Sequence, residues 1–312
     1  MPLTPEQIES RKRGVGCSEI LAALGKDPRT SRLELYMRKI GELPELDLSD
    51  NERVEAGDLL EPVIRELFAR KIGHPITKPD ETLFHPELPL VGHPDGFVLH
   101  EDEPGIEFKN RDRMIFLDEY GEDGTDQVPL RDLCQCVGYM MLTRRIRWHL
   151  GAFVGGNERH LFEIQYDEEL AVAIGVGLKE FWSHVEQRRP PDPMTPDDVK
   201  LLWPRSIQST RVATPEIEDL VREHARWKVE LKEGKHRMDT AEAQIKHFMA
   251  EAGDLVTESG ATIASWRSAR DSRKFDETTF AYEHPDIYEQ YMRNVPGSRR
   301  FLNKLTTEVK PT

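Results

Sequence analysis

Apolar residues recur three and four apart over much of this chain, and two apart over a few short stretches. The first spacing predicts amphipathic helices over Glu19–Leu24, Ser31–Ile40, Glu52–Ile72, Leu130–Thr143 and Asp167 to about Gln187. Core-facing stripes run through Leu33, Tyr36, Met37 and Ile40, through Leu60, Ile64, Leu67, Phe68 and Ile72, and through Leu170, Ile174, Leu178, Phe181 and Val185. A further short helix is expected from Thr4, with Pro5 at its first position and Gln7 closing a capping box, to about Arg13. Ser18 reads as the N-cap of the next helix, and Gly25 and Gly41 as stops. Pro62 lies inside the Glu52–Ile72 stripe, so that helix either starts near Leu59 or kinks.

The period-two stretches predict strands. Ile76–Phe84 is extended, Leu90–Gly92 follows, and a hairpin joins the residues after Asp95 to Ile106–Asn110. Trp148–Val154 and His160–Tyr166 pair across Gly155-Gly156-Asn157. Leu43–Asn51 and Phe116–Val128 read as acidic loops. Helices and hairpins in this order imply an α/β fold, with a mixed central sheet flanked by helices.

The texture changes after Arg189-Pro190-Pro191-Asp192-Pro193, a linker by composition. Asp197–Trp203 is short enough to dock back on the core, and we place the boundary at residues 1–204 and 205–312. The second part begins with a charged helix from Thr214 that carries Leu220, Val221, Trp227 and Leu231. Gly234 reads as its break, and Met238, Ala241, Ile245, Phe248 and Met249 as the stripe of a second helix. This is a helical hairpin, followed by a small β-hairpin across Ser259-Gly260 and a polar tail with scattered aromatics.

The 312 residues are 38% hydrophobic and 32% charged, with no apolar run of membrane-spanning length. The polar start, Met1–Arg13, does not read as a signal peptide. Three cysteines, with Cys134 and Cys136 lacking a second pair, complete no zinc site and fit reduced thiols in the cytoplasm. A net charge of −14 argues against a general nucleic-acid coat. It leaves room for an enzyme whose basic groups gather only where nucleic acid passes.

The chemistry concentrates between His93 and Gln135. Asp95 precedes a short strand. Glu107 and Lys109 lie two apart on the next, so both side chains leave one face. Hard carboxylate oxygens hold Mg²⁺ or Mn²⁺, and an ammonium beside them suits phosphodiester hydrolysis. Asp-Gly is also a common turn pair, and alternating Glu and Lys also make a solvated edge. Two neighbours add weight to the chemical reading: Glu61 on the preceding long helix, and Gln135, placed to bond a water or a phosphate oxygen. The Gly-rich entry Gly14-Val15-Gly16-Cys17-Ser18, with Arg11 or Arg13 and then Arg29 nearby, makes a candidate phosphate pocket.

With Gly57-x-x-x-Glu61-Pro62, Pro94-Asp95, Glu107-x-Lys109 and Gln135 in this order, residues 10 to 190 resemble the YqaJ-type phage recombinases. That group includes the lambda-type exonucleases, within the PD-(D/E)xK nucleases. The resemblance implies a restriction-endonuclease-like core and a metal-dependent 5′-to-3′ exonuclease. Such an enzyme acts on linear double-stranded DNA and leaves 3′ tails for a single-strand annealing protein. It implies two Mg²⁺ ions per site, with Mn²⁺ as substitute. Asp95, Glu107 and the Phe108 carbonyl would hold one ion, and Glu61 with Asp95 the second. Lys109 and Gln135 would handle the water, and Ser18, Arg11 or Arg13, and Arg29 would grip the 5′-phosphate. It further implies a phage- or prophage-encoded protein of the bacterial cytoplasm, working as a ring-shaped homotrimer. The alternatives are an endonuclease of the same fold and a non-catalytic recombination scaffold.

Overall fold

The structure is a computed structural model that describes residues 12–44, 51–79, 81–100, 103–295 and 297–305, with Asp58 described by its backbone alone. Of the helix expected over Thr4–Arg13, all but Lys12 and Arg13, which lie in a turn, falls outside the described residues, Arg11 included, as does most of the acidic stretch before Asn51. The chain forms two compact units, Met1–Trp203 and Pro204–Thr312.

The first unit opens with β1 (Val15–Gly16), a 3-10 turn (Cys17–Glu19) and α1 (Ile20–Ala23). Ser18 therefore lies inside the turn, and it is not an N-cap. The Gly16 N–H is taken instead by the Glu19 carboxylate at 2.7 Å. In α2 (Arg32–Lys39) Ser31 is a true cap, its hydroxyl accepting from the Glu34 N–H at 3.0 Å. The long α3 (Glu52–Ile72) starts at the Asn51 cap and runs through Pro62. The bounds expected from the stripe, Glu52–Ile72, are those observed, and the alternative start near Leu59 is corrected. Gly73, at φ 84°, ends the helix in the left-handed conformation that suits glycine.

Next come β2 (Ile76–Thr77), β3 (Leu83–Phe84), β4 (Leu90–Gly92), β5 (Gly96–Val98) and β6 (Gly105–Arg111). Part of the expected loop after Lys109 is helical: α4 covers Arg113–Glu119, capped by Asp112. Then follow α5 (Leu130–Thr143), β7 (Arg147–Val154), β8 (Glu158–Gln165), α6 (Glu168–Glu186) and α7 (Pro196–Leu202).

The strands form two sheets. The smaller has the order β1-β4-β3, and the larger β2-β5-β6-β7-β8. In the larger sheet every pairing is antiparallel except β6 with β7, which run parallel from Gly105–Trp148 to Arg111–Val154. This is the mixed α/β architecture expected from the sequence. Side chains alternate between the two faces. One face of β6 sends Ile106 and Phe108 against Ile64 and Phe68 of α3. On the other side Trp148, Leu150, Phe162 and Ile164 enter a larger core with Cys17, Ile20, Val137, Ile174 and Phe181. At the head of β6 the chain needs Gly105, because a Cβ there would meet the Trp148 ring at 2.1 Å. The helix α7 docks on this unit through Asp198, which accepts from Ser31, and through Leu201 and Leu202.

In the second unit the expected helical hairpin is one continuous helix, α8 (Pro215–Met249), 35 residues long. Gly234 does not break it, since an isolated helical glycine costs only about 1 kcal/mol relative to alanine. No proline or turn cluster follows to force a reversal. The small β-hairpin is present as β9 (Asp254–Val256) with β10 (Thr262–Ser265). The polar tail contains two short helices, α9 (Glu277–Glu283) and α10 (Pro285–Tyr291). Among the described residues no helix is long and apolar enough to cross a membrane.

Candidate active site

The site begins where β5 ends as a partner for β6. The two strands pair only at Gly96–Ile106 and Phe97–Gly105. Past that point β6 continues, and Asp95 replaces the missing strand with its side chain. Its Oδ2 accepts the Phe108 N–H at 2.7 Å. A strand residue turns its N–H and C=O toward the same edge, so the Phe108 carbonyl shares this edge with the Asp95 carboxylate.

Period two puts Glu107, Lys109 and Arg111 on the face of β6 that meets α5. The helix answers with Asp132, Gln135 and Tyr139, spaced three and four apart on one side. Lys109 Nζ donates to Glu107 Oε1 and to Gln135 Oε1, both at 2.8 Å. Gln135 Nε2 donates to Glu107 Oε1 at 2.7 Å and to the Tyr139 hydroxyl at 3.2 Å. Tyr139 in turn donates to the His93 carbonyl at 3.1 Å. Three side chains thus lock one another's rotamers, and α5 fixes the ring to the loop before Asp95.

The charges are held far from their ordinary balance. Burial, together with the Glu107 carboxylate, pushes the Asp95 carboxyl well above the usual carboxylate range. The Phe108 N–H and Lys109 offset this only in part. Burial works to lower Lys109, but Glu107 and Asp132 outweigh it and keep the ammonium protonated beyond its usual range. Asp132 Oδ1 stands 3.7 Å from Lys109, and its Oδ2 lies 3.1 Å from Arg111 and accepts from Tyr120. Burial opposes ionisation of Asp132, yet the two cations and the hydrogen bonds hold its carboxyl low.

The fit to a metal rests on one atom above all. Glu107 Oε1 takes both hydrogen bonds, while Glu107 Oε2 is buried without a hydrogen-bond partner. An orphaned carboxylate oxygen in a half-buried site costs free energy unless a cation meets it. Together with Asp95 and the Phe108 carbonyl it makes a hard, all-oxygen donor set, the kind Mg²⁺ and Mn²⁺ take. Among the described residues no three His, Cys, Asp or Glu side chains are gathered into a ready-made metal cage. Glu61 is close enough to Asp95 to raise its pKa, but its Oε1 is engaged by Arg65 and, at 2.6 Å, by Lys78.

The structure brings Asp95, Glu107, Phe108, Lys109 and Gln135 together and sets Glu61 at their border. It does not join the candidate phosphate pocket. Among the described residues no hydrogen bond or ion pair links Ser18, Arg13 and Arg29. Arg13 lies over the Phe84 ring at 4.7 Å, and Arg29 is an exposed turn residue whose N–H bonds Asp27. Of the nearby histidines, His85 caps its own turn through Nδ1, and His93 bonds Thr82. Sequence reasoning missed Asp132, Tyr139, Arg111 and Tyr120. The signal existed: Arg111 is two after Lys109 on the same strand face, and Asp132 and Tyr139 flank Gln135 at helical spacing.

The fold and site together define a mixed α/β domain with a carboxylate–lysine centre on paired strands. Residues 7–145 match the model of the YqaJ-like viral recombinase domain. The uncharacterized protein YqaJ of Bacillus subtilis (strain 168) is 24% identical over 307 residues, covering 95% of this chain and 92% of that relative. Among solved structures, an alkaline exonuclease from Laribacter hongkongensis is 19% identical, with a TM-score of 0.49, covering 60% of this chain and 94% of its own. A phage related exonuclease from Haemophilus somnus 129PT is 13% identical with a TM-score of 0.42, covering 56% and 94%.

Proposed function

We propose that this protein is a metal-dependent DNA exonuclease of phage-type recombination. Its finer activity, on this reading, is 5′-to-3′ digestion of one strand of linear duplex DNA, leaving 3′ tails for a single-strand annealing protein. The observation that carries the reading is the closed Glu107–Lys109–Gln135 ring beside Asp95, with Glu107 Oε2 left unpaired and aimed at no protein donor.

Asp95, Glu107 and the Phe108 carbonyl would hold one Mg²⁺ or Mn²⁺. Glu61 with Asp95 would hold a second, once Glu61 gives up Arg65 or Lys78. Bound there, such ions would supply positive charge for the phosphoryl oxygens and a more acidic water. Lys109, fixed by two acceptors and kept protonated, directs an N–H at the position where negative charge grows. Gln135 prevents Lys109 from swinging away. Asp132, between Lys109 and Arg111, offsets the repulsion between the two cations and so helps keep the Lys109 ammonium in place. A 5′-phosphate grip by Ser18, Arg29 and Arg11 or Arg13 belongs to the same proposal, as does work as a homo-oligomer.

The test is digestion of linear duplex DNA carrying one 5′-phosphate and one 5′-hydroxyl end, with a closed circle as control. With Mg²⁺ or Mn²⁺ the phosphorylated strand should shorten progressively to mononucleotides while the circle survives. Replacing the Lys109 ammonium (Lys109→Ala) should slow this about 10²- to 10³-fold, the usual loss for one such donor. Cutting of the circle would make the enzyme an endonuclease, and no cutting with either metal would make it a scaffold. Mn²⁺ titration calorimetry on Glu107→Gln, expected to abolish binding, checks the metal site without relying on activity.

A further inference from the structure

As one continuous helix, α8 carries a longer pattern than either half shows. Over α8 the positions alternate by three and four without interruption. Ile217, His224, Leu231, Met238 and Ile245 form one row. Leu220, Trp227, Gly234, Ala241 and Phe248 form the other. Eight of these ten positions are apolar, and the pattern spans more heptads than a coiled-coil seam requires. The seven large apolar side chains among them stand 44 to 78% exposed. The tail covers the other side of the helix: Ala225 is buried, and the Asn303 amide donates to the Val221 carbonyl at 2.8 Å. Among the described residues the tail meets the seam at His224, which faces Phe301 edge-on and bonds Asn303.

We infer that α8 pairs in parallel and in register with the same helix of a second copy of this chain. The charges beside the seam identify the partner. In a parallel pair each residue just before the first row faces the residue five further along on the other helix. Glu223 then faces Lys228, Glu230 faces Lys235, and Arg237 faces Glu242. Each pair is attractive, each occurs twice by symmetry, and none is repulsive. An antiparallel pair in full overlap sets Lys228 against Lys235, which offsets the attraction it gives Glu230 and Arg237, whereas the parallel pair carries no repulsion. A helix of unrelated sequence has no reason to carry this complement, and the chain's own copy carries it by construction. The inference rests on the C-terminal unit and is independent of the nuclease reading.

Two measurements on the full chain test it. The native cysteines at 17, 134 and 136 are buried, so single cysteines can report on the seam. Under mild oxidation Leu231→Cys should form a disulfide-linked dimer at least about tenfold faster than Arg226→Cys, which lies off the seam. Second, the double variants E223K/E230K and K228E/K235E each set like charges across the seam. Sedimentation should show self-association weakened about tenfold or more in each, and restored when the two are mixed. Mutual rescue is the outcome a merely structural role of these residues does not produce. Equal cross-linking of the two cysteine variants would overturn the inference. So would charge variants that associate like the parent, or a full chain that stays monomeric at tens of micromolar and leaves the seam to another protein's helix.

Discussion

At the scale of single residues, the Asp95 carboxylate carries an energetic cost that a metal relieves. Its folded pKa lies above the unfolded value of about 3.9. The sign is therefore destabilising: the cost appears as pH rises past the unfolded pKa and is complete above the folded one. Metal-free Asp95→Asn should melt higher than the parent at pH 7, while its amide oxygen still accepts the Phe108 N–H. With Mn²⁺ at a hundred times its Kd the parent should gain about 2.7 kcal/mol and the variant almost nothing. Calorimetric melting with and without metal decides it. Asp132 has the opposite sign. Its carboxyl is held low by Lys109 and Arg111 against burial, so its contribution is full above about pH 3.9 and disappears as pH falls through the folded value. Asp132→Asn leaves two cations short of a partner in a buried network, and should cost about 3 to 5 kcal/mol in urea unfolding at pH 7. It should also flatten the acid limb of the stability profile.

The chemistry of this site was legible where spacing forces proximity. Glu107 and Lys109 must share a strand face, and Asp95 must sit at the mouth of the hairpin. Gln135 could be placed on a helix but not in contact with Glu107, because which helix covers which face is a tertiary fact. The loop cations Arg13 and Arg29 show the limit. Nothing in local geometry aims a loop side chain, and one of them spends its charge on the Phe84 ring.

At the scale of elements, helices with caps and stripes were readable nearly to the residue, as α2 with Ser31 and α6 with Asp167 show. Single breakers are weaker signals. A helix start near Leu59, one of the two readings Pro62 allowed, does not hold: α3 runs through Pro62, and Ile64 and Phe68 pack it onto the sheet on the C-terminal side. Gly234 was expected to turn the chain, yet it has open space around the missing Cβ and an ordinary helical backbone. This distinction is measurable. In a turn, Gly234→Ala would strain a left-handed backbone and destabilise. In a continuous helix it should stabilise by about 1 kcal/mol, raise the helical circular dichroism near the unfolding midpoint, and shift that midpoint to higher urea.

At the scale of the whole molecule, the division into two units has a chemical consequence. The first unit closes on itself: α7 is anchored by Asp198 to Ser31, and Leu201 and Leu202 pack on its core. Every residue proposed for metal or DNA in the site lies before that anchor. From Trp203 to Thr214 the backbone forms no regular element, and Arg205 and Arg211 are exposed. Exposed irregular backbone is where proteases cut first. Limited trypsin digestion should therefore cleave at Arg205 or Arg211 before any site within β5 to β8, and leave a resistant N-terminal fragment. If the site is self-sufficient, that fragment should keep its Mn²⁺ affinity within about twofold and still shorten linear DNA, because no side chain of the Glu107–Lys109–Gln135 ring lies beyond the cut. What it should lose is the association carried by α8, and with it the persistence of digestion on one DNA molecule, if holding copies together also holds the enzyme on its track. A fragment that binds Mn²⁺ as before yet cuts nothing would place part of the DNA grip in the C-terminal unit; one that no longer binds the metal would mean the first unit does not fold without the second.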